Sequence, residues 1–382
     1  MLIFVPKEAH PGERRTALIP VDAAKLVKLG AALEVEAGLG ESVHYEDKDY
    51  TAVGASISTN RRDSLDRADL VLRLRKPPLD EIDRLKSGAC HISYLDPFHE
   101  QEIVRHLADR GVSAFSMDMV PRSSLAQKMD ALSSQANLAG YIAVIIAAER
   151  LDRILPMMMT PAGTINASRV FVVGAGVAGL QAIATARRLG ARVEAFDTRA
   201  VVEEQVQSLG AKFVKIDLGE TGQTKDGYAR GLTDEQIAIQ RREMARVCAN
   251  SDVVITTAQV FGREAPRIIT HEMVVGMRPG SVIVDCAVET GGNVEGSKLD
   301  EEVIVNGVRI IGLGNLPGRV PVHASQVYSS NLSSLVTHFW NKETKSFVVK
   351  PDDEIMRGCL ITHAGRIVHD AVTKHYERGA AQ

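Results

Sequence analysis

The chain has 382 residues, 45% of them apolar and 24% charged, with a mean hydropathy of −0.04, which excludes a disordered chain and calls for two or three ordinary domains. The 45 Lys and Arg residues nearly balance 48 Asp and Glu, leaving a net charge of −3 and no dense basic run, so a nucleic-acid partner is excluded. Cys90, Cys248, Cys286 and Cys359 form no CxxC pair, which fits free thiols in a reducing compartment better than disulfides or zinc.

The first residues, Met1-Leu2-Ile3-Phe4-Val5-Pro6-Lys7-Glu8, read as a short strand and a charged loop, without the basic and apolar regions of a signal peptide. A cytoplasmic protein is expected. Strands are predicted at residues 2–5, 32–36, 68–74, 90–95 and 113–117, alternating with helical stretches, which calls for a parallel sheet flanked by helices. A helix over 21–29, with Ala23, Leu26 and Val27 on one face and Gly30 as its stop, should pack on that sheet. A long helix is predicted over 133–155 as a hinge element. Its apolar stretch after Gly140 is broken by Glu149, Arg150, Asp152 and Arg153, short of the ~20 residues of a membrane span.

A second strand series follows at 170–173, 192–196, 212–216, 253–257, 282–286 and 308–311, six strands that match a complete doubly wound dinucleotide fold. The glycine-rich segment 218–234, with Tyr228 as its aromatic residue, is either a decorative loop or a functional lid. After about residue 320 come a helical stretch over 325–339 and a hairpin-like pair at 346–349 and 358–368. So short a tail buries too little by itself and should return to the first domain. The expected architecture is α/β: two Rossmann-like, doubly wound parallel-sheet domains, residues 1–132 with 320–382 and residues 133–319, with a cofactor cleft between them.

The sharpest motif is Gly174-Ala175-Gly176-Val177-Ala178-Gly179, a G-x-G-x-x-G run between a strand and an amphipathic helix. Gly174 serves the tight turn, Gly176 lets the backbone approach a pyrophosphate, and Gly179 lets helix and strand pack closely. The next strand ends at Asp197, 21 residues after Gly176, where an acid binds the adenosine ribose hydroxyls. An acid there repels a 2′-phosphate, so NAD(H) is expected over NADP(H), although Arg199 is a residue type that serves NADP(H). Val177, Ala178, Thr198, Arg199 and Ala258 complete the candidate nucleotide contacts with Gly174, Gly176, Gly179, Asp197 and Tyr228.

Residues 121–135, PRSSLAQKMDALSSQ, are rich in side chains with fixed hydrogen-bonding geometry. Arg122 offers a planar fork, Gln127 donates and accepts, and Asp130 can hold the Arg. A solvated loop with Asp130 or Ser133 as a helix N-cap explains the same residues.

This segment, the following Asn137-Leu138-Ala139-Gly140-Tyr141, the fingerprint run and residues 204–210 (EQVQSLG) resemble the NAD(H)-binding component, domain I, of proton-translocating nicotinamide nucleotide transhydrogenase. The likeness covers nearly the whole chain, including the stretch from Pro6 to Arg15, Asp226-Gly227-Tyr228, Thr256-Thr257-Ala258, residues 279–285, Gly291-Gly292-Asn293 and Leu316-Pro317-Gly318-Arg319. It implies an enzyme of the Re/Si-specific type, active only with partner subunits, that passes hydride directly between NAD(H) here and NADP(H) on a partner subunit. A small membrane subunit would couple the transfer to proton movement.

By the resemblance, Arg122, Gln127, Asp130 and Ser133 orient the nicotinamide, and Tyr228 sits in a loop closing over the cofactor. It further implies a homodimer, no metal, and a peripheral place on the inner face of the cytoplasmic membrane through its partners. Two departures stand out: Leu125 replaces a second Arg, and the segment Gln259–Glu264 differs from the family's run.

Alanine dehydrogenase has the same two-domain plan but needs a Lys and a His in the first domain. Arg75 and Asp96 stand at the matching places, with Lys76 and His99 nearby and Glu289 at the place of the family's acid. A non-catalytic NAD(H)-binding regulator is the remaining alternative, and it would not need the polar segment. Bland roles are expected for His363 and His369 at a turn, for Met157, Met158 and Met159 in inter-domain packing, for Cys286 as a buried inert thiol, and for Trp340 as the anchor of the tail.

Overall fold

The computed structural model describes residues 1–217, 219 and 233–380, the last two of them without their side chains. The chain forms two compact units, residues 1–135 with 320–382 and residues 136–319.

Six parallel strands open the first unit: β1 (Leu2–Val5), β2 (Ala32–Glu36), β3 (Ser56–Ser58), β4 (Leu70–Leu72), β5 (Cys90–Ser93) and β6 (Ser113–Ser116). Their spatial order, β3-β2-β1-β4-β5-β6, is the doubly wound order. Both faces of such a sheet are buried, so the two-residue alternation sorts side chains between two apolar cores. Ile3, Val5, Leu70, Leu72 and Phe115 join the core that holds helices Pro20–Lys28 and Pro321–His338. Phe4, Val71 and Ala114 face the opposite core with helix Gln101–Asp109. β3 escapes the sequence pattern because Ser-Ile-Ser at a sheet edge carries almost no apolar signal.

The second unit begins with an exposed hairpin, β7 (Met158–Thr160) and β8 (Gly163–Ile165). This corrects the expected packing role of Met157, Met158 and Met159, which are 58%, 45% and 81% exposed. The sheet that follows contains β9 (Arg169–Val173), β10 (Arg192–Phe196), β11 (Lys212–Phe213), β12 (Val253–Thr256), β13 (Val282–Asp285), β14 (Glu301–Val305) and β15 (Val308–Gly312). Its order, β11-β10-β9-β12-β13-β15-β14, is again doubly wound, with β14 as an antiparallel edge. The strand order reverses between β9 and β12, and there an open α/β sheet leaves a crevice at the strand C-termini.

The tail returns to the first sheet, but by a different pairing from the one the sequence suggests. β16 (Trp340–Asn341) pairs with β17 (Ser346–Phe347), while β18 (Leu360–His363) lies antiparallel to β6 and continues into β19 (Arg366–Ile367). The 346–349 and 358–368 segments therefore belong to separate ribbons. Trp340 is buried and its indole N–H donates to the Leu29 carbonyl at 2.9 Å, anchoring the tail. His363 sits beside Ser113 at 2.9 Å, next to the β18 turn.

Helix Pro321–His338 meets the segment 16–22 through a stripe of serines. Ser325 and Ser329 accept the N–H groups of Thr16 and Ile19, and Ser329 and Ser333 donate to the buried Asp22 carboxylate. These bonds supply partners that a buried loop and a buried charge require.

The long helix runs Ala131–Arg150, beginning two residues earlier and ending five earlier than the sequence suggests. Among the described residues it is the one helix long and apolar enough to cross a bilayer, yet Ala143, Val144 and Ala147 are buried in the protein. It is a core helix.

Candidate functional site

The fingerprint turn is built by contacts that exclude side chains. Gly174 has φ +95°, and a Cβ there would lie 2.8 Å from Thr257 Oγ1. A Cβ on Gly179 would lie 1.8 Å from the Gly174 carbonyl oxygen. Helix Val177–Arg188 starts at Gly176 with no side chain capping it, and a Cβ on Gly176 would meet nothing within 4 Å. Uncapped N–H donors facing open space at a helix N-terminus are what a pyrophosphate needs, so these residues fit a dinucleotide. Val177 and Ala178 form the first turn. The Ala178 carbonyl lies so near Gly140 that a Cβ there would come to 2.1 Å, which accounts for a glycine midway along the long helix.

Asp197 lies just beyond β10, and its Oδ2 accepts the Ala175 N–H at 2.8 Å, tying the acid to the turn. Thr198 and Arg199 follow, both half-buried, and Arg199 forms a two-pronged ion pair with Asp197. Across the switch point, Ala258 is held by Asn293: its N–H donates to Asn293 Oδ1 at 3.0 Å and its carbonyl accepts from Nδ2 at 2.8 Å. The main chain of Ala258 is thus engaged, and what it presents to a ligand is its methyl group.

Asn293 is in turn placed by the buried Asp285, whose carboxylate accepts the N–H groups of Ala287, Asn293 and Val294 and the Thr256 hydroxyl. The sequence singled out Gly291-Gly292-Asn293 only through resemblance. Its physical signal is two successive glycines at φ +101° and +85° ahead of a short amide side chain. Cys286 lies one residue past β13 and is half-buried, which corrects its placing as a buried strand residue; burial still pushes its thiol pKa up. Tyr228 and most of the 218–234 loop lie outside the described residues.

In the first unit, the polar segment is fixed by two buried anchors, Ala126 and Met129. Around them Arg122, Leu125, Gln127 and Lys128 are exposed, Leu125 by 72%. Asp130 is the N-cap of the long helix: Oδ1 accepts the Ser133 N–H at 2.9 Å and Oδ2 the Ser133 hydroxyl at 2.6 Å. Asn331, missed in the sequence, donates to the Lys128 carbonyl at 2.9 Å from helix Pro321–His338.

The stretch from Pro6 to Arg15 has its own task. Glu8 accepts the N–H groups of Leu74 and Arg75, at 2.7 and 3.3 Å, just past β4. Glu13 bridges Arg15 and Arg75, and Arg15 reaches Gln135 at 2.8 Å. Burial alone would raise the Glu13 carboxyl, but hydrogen bonding and charge from Arg15, with Arg75 behind it, outweigh burial and hold it at about 2.

A carboxyl depressed on folding stabilises the folded state above its ordinary pKa and loses that contribution as pH falls to the folded value. For Glu13 the window runs from about 4.5 to about 2, a contribution of roughly 3 kcal/mol. Fluorescence of Trp340, the single tryptophan and a resident of the first unit, should show Glu13→Gln less stable than wild type above pH 4.5. The gap should close toward pH 2, and a gap constant with pH would contradict the assignment.

The residues that alanine dehydrogenase chemistry would need are engaged elsewhere. Arg75 is paired with Glu13, Lys76 with Glu100, and His99 lies 2.7 Å from Asp96. Among the described residues no three His, Cys, Asp or Glu side chains group as metal ligands.

Two doubly wound units, one carrying an intact G-x-G-x-x-G turn with an acid at the next strand end, define a dinucleotide-binding protein of the oxidoreductase type. Residues 4–139 match the N-terminal domain, and residues 143–370 the C-terminal domain, of the alanine dehydrogenase/PNT family. The chain belongs to that family. It is 44% identical over 380 residues to the first of the separate chains that make up the NAD(P) transhydrogenase alpha subunit of Rhodospirillum rubrum, covering 98% of this chain and 99% of that one. The crystal structure of transhydrogenase from Sinorhizobium meliloti superposes with a TM-score of 0.86 at 43% identity, covering 96% of this chain and all of that one. An L-alanine dehydrogenase structure gives 0.82 at 26% identity, covering 99% of each.

Proposed function

We propose that this chain is the NAD(H)-binding subunit of a proton-translocating transhydrogenase, an enzyme of the Re/Si-specific type that works only with its partner subunits. The observation that carries this over an amino-acid dehydrogenase is the pairing of Arg75 with Glu13 in the first unit, beside an intact dinucleotide turn in the second. A substrate amino acid would find neither a free lysine nor a free histidine at Arg75 and Asp96.

NAD(H), when bound, supplies the nicotinamide C4 that gives or takes hydride. The chain's own role is positioning, which requires no acid or base. Gly174, Gly176 and Gly179, with the first turn at Val177 and Ala178, receive the pyrophosphate. Asp197, with Thr198 and Arg199 beside it, recognises the adenosine ribose and favours NAD(H) over NADP(H), while Ala258 packs against the cofactor. Arg122 and Gln127 orient the nicotinamide, with Asp130 and Ser133 fixing the segment that carries them. NADP(H) is held by a partner subunit, a small membrane subunit couples the transfer to proton movement, and the chain acts as a homodimer on the inner face of the cytoplasmic membrane.

The test mixes the purified chain with a soluble NADP(H)-binding transhydrogenase component and follows hydride transfer from NADPH to an NAD⁺ analogue. Transfer that requires both proteins, with no oxidation of L-alanine by this chain alone, is the expected result. Alanine-dependent NAD⁺ reduction, or tight NADH binding without transfer to a competent partner, would overturn it.

A further inference from the structure

The ribose site is closed by the protein's own side chain. A carboxylate offers about four lone-pair positions, and all of those on Asp197 are taken. Oδ1 accepts the Arg199 backbone N–H and Nε, each at 2.9 Å. Oδ2 accepts the Ala175 N–H at 2.8 Å and Arg199 Nη2 at 2.9 Å. The Ala175 and Arg199 backbone bonds belong to the turn and the loop, and stay. The two guanidinium bonds are the replaceable ones, because the Arg side chain is a long, 17% exposed group on the solvent side of a carboxylate that is itself only 7% exposed.

We propose that Arg199 is a latch on the ribose site: its guanidinium holds the Asp197 carboxylate until two ribose hydroxyls displace it, so opening the Asp197–Arg199 pair is a step of NAD(H) binding. This rests on the assignment of Asp197 to the adenosine ribose. It adds that the site must break an ion pair in order to bind, and it gives the exchange a chemical rule. The guanidinium leaves two donors' worth of vacancy, which a 2′,3′-diol refills with two O–H donors. A 2′-phosphorylated ribose brings negative charge where one donor should be, so it cannot replace the guanidinium on the carboxylate. The latch thus sharpens the preference for NAD(H) beyond simple repulsion by Asp197.

The test measures the affinity of the full chain for NADH, and for its 2′,3′-dideoxyribosyl-adenine analogue, by fluorescence titration. Arg199→Met is expected to bind NADH about fivefold more tightly, the ratio corresponding to a partly exposed ion pair that no longer has to be broken. The dideoxy analogue, which cannot refill the carboxylate, should show no such gain. Arg199→Gln, which keeps a polar side chain without the charge, should fall between wild type and Arg199→Met, and serves if the methionine variant does not fold.

Weaker NADH binding in these variants would make Arg199 a cofactor contact and overturn the latch. Unchanged binding, or an equal gain for both ligands, would overturn it too. Asp197→Ala separates the two ideas: if it leaves NADH affinity intact, the ribose assignment itself fails, whatever Arg199 does.

Discussion

Gly179→Ala is expected to abolish NADH binding, lowering affinity by 100-fold or more in a fluorescence titration, with a loss of roughly 2–4 kcal/mol in stability. The new methyl carbon would lie 1.8 Å from the Gly174 carbonyl oxygen and 3.0 Å from Thr257 Oγ1. The first of these is backbone, so relief requires the helix to move away from β9, and the turn that receives the pyrophosphate moves with it. Gly176→Ala is the informative companion. Its backbone, at φ −80° and ψ −165°, suits alanine, and its Cβ would meet nothing within 4 Å. That variant should melt with wild-type stability and still bind NADH poorly, because the open space it fills is the space assigned to the pyrophosphate. Wild-type affinity in Gly176→Ala would move the cofactor away from this turn.

Gln127→Ala is expected to do the reverse, sparing the fold and the affinity while slowing the chemistry. Among the described residues no partner is found for the Gln127 side-chain amide, and the residue is exposed at the start of a short helical turn. Its removal should therefore change stability by no more than about 0.5 kcal/mol. If the amide orients the nicotinamide, single-turnover hydride transfer with the NADP(H)-binding component should fall by about 100-fold, the scale of a small misplacement of reacting groups. NADH affinity should stay within about threefold, since orientation contributes to rate more than to binding. A fall in affinity that accounts for the whole loss of rate would make Gln127 a binding residue only.

What the sequence made legible was whatever has a local cause. The G-x-G-x-x-G turn is a steric requirement carried by three positions, and β1, β2 and β10 are runs whose apolar residues leave little choice of structure. Elements with weak or long-range causes were hidden. β14 alternates exposed and half-buried residues at a sheet edge, and Met157–Met158–Met159 looked like packing because methionines usually pack, whereas here they border an exposed hairpin.

The tail was misread because Phe347 pairs with Trp340 across a tight turn, while β18 finds its partner β6 some 250 residues earlier in the chain, as with Thr362 and Val112. The site divides in the same way. Asp197 follows from its distance along the chain, but Asn293 on Ala258, Asn331 on Lys128 and Glu13 on Arg75 are meetings that no spacing rule announces.

The return of the tail to β6 also sets an order of assembly on the ribosome. Residues 136–319 are contiguous and can close their sheet as soon as they emerge. The first 135 residues are made earlier but lack helix Pro321–His338 and the strand that covers β6 until synthesis is nearly over. The nascent chain therefore carries a sheet with an open edge and one bare apolar face throughout translation of its middle third. The region of the protein made first is completed last, and a chaperone acting on this chain would find its substrate at the N-terminal end.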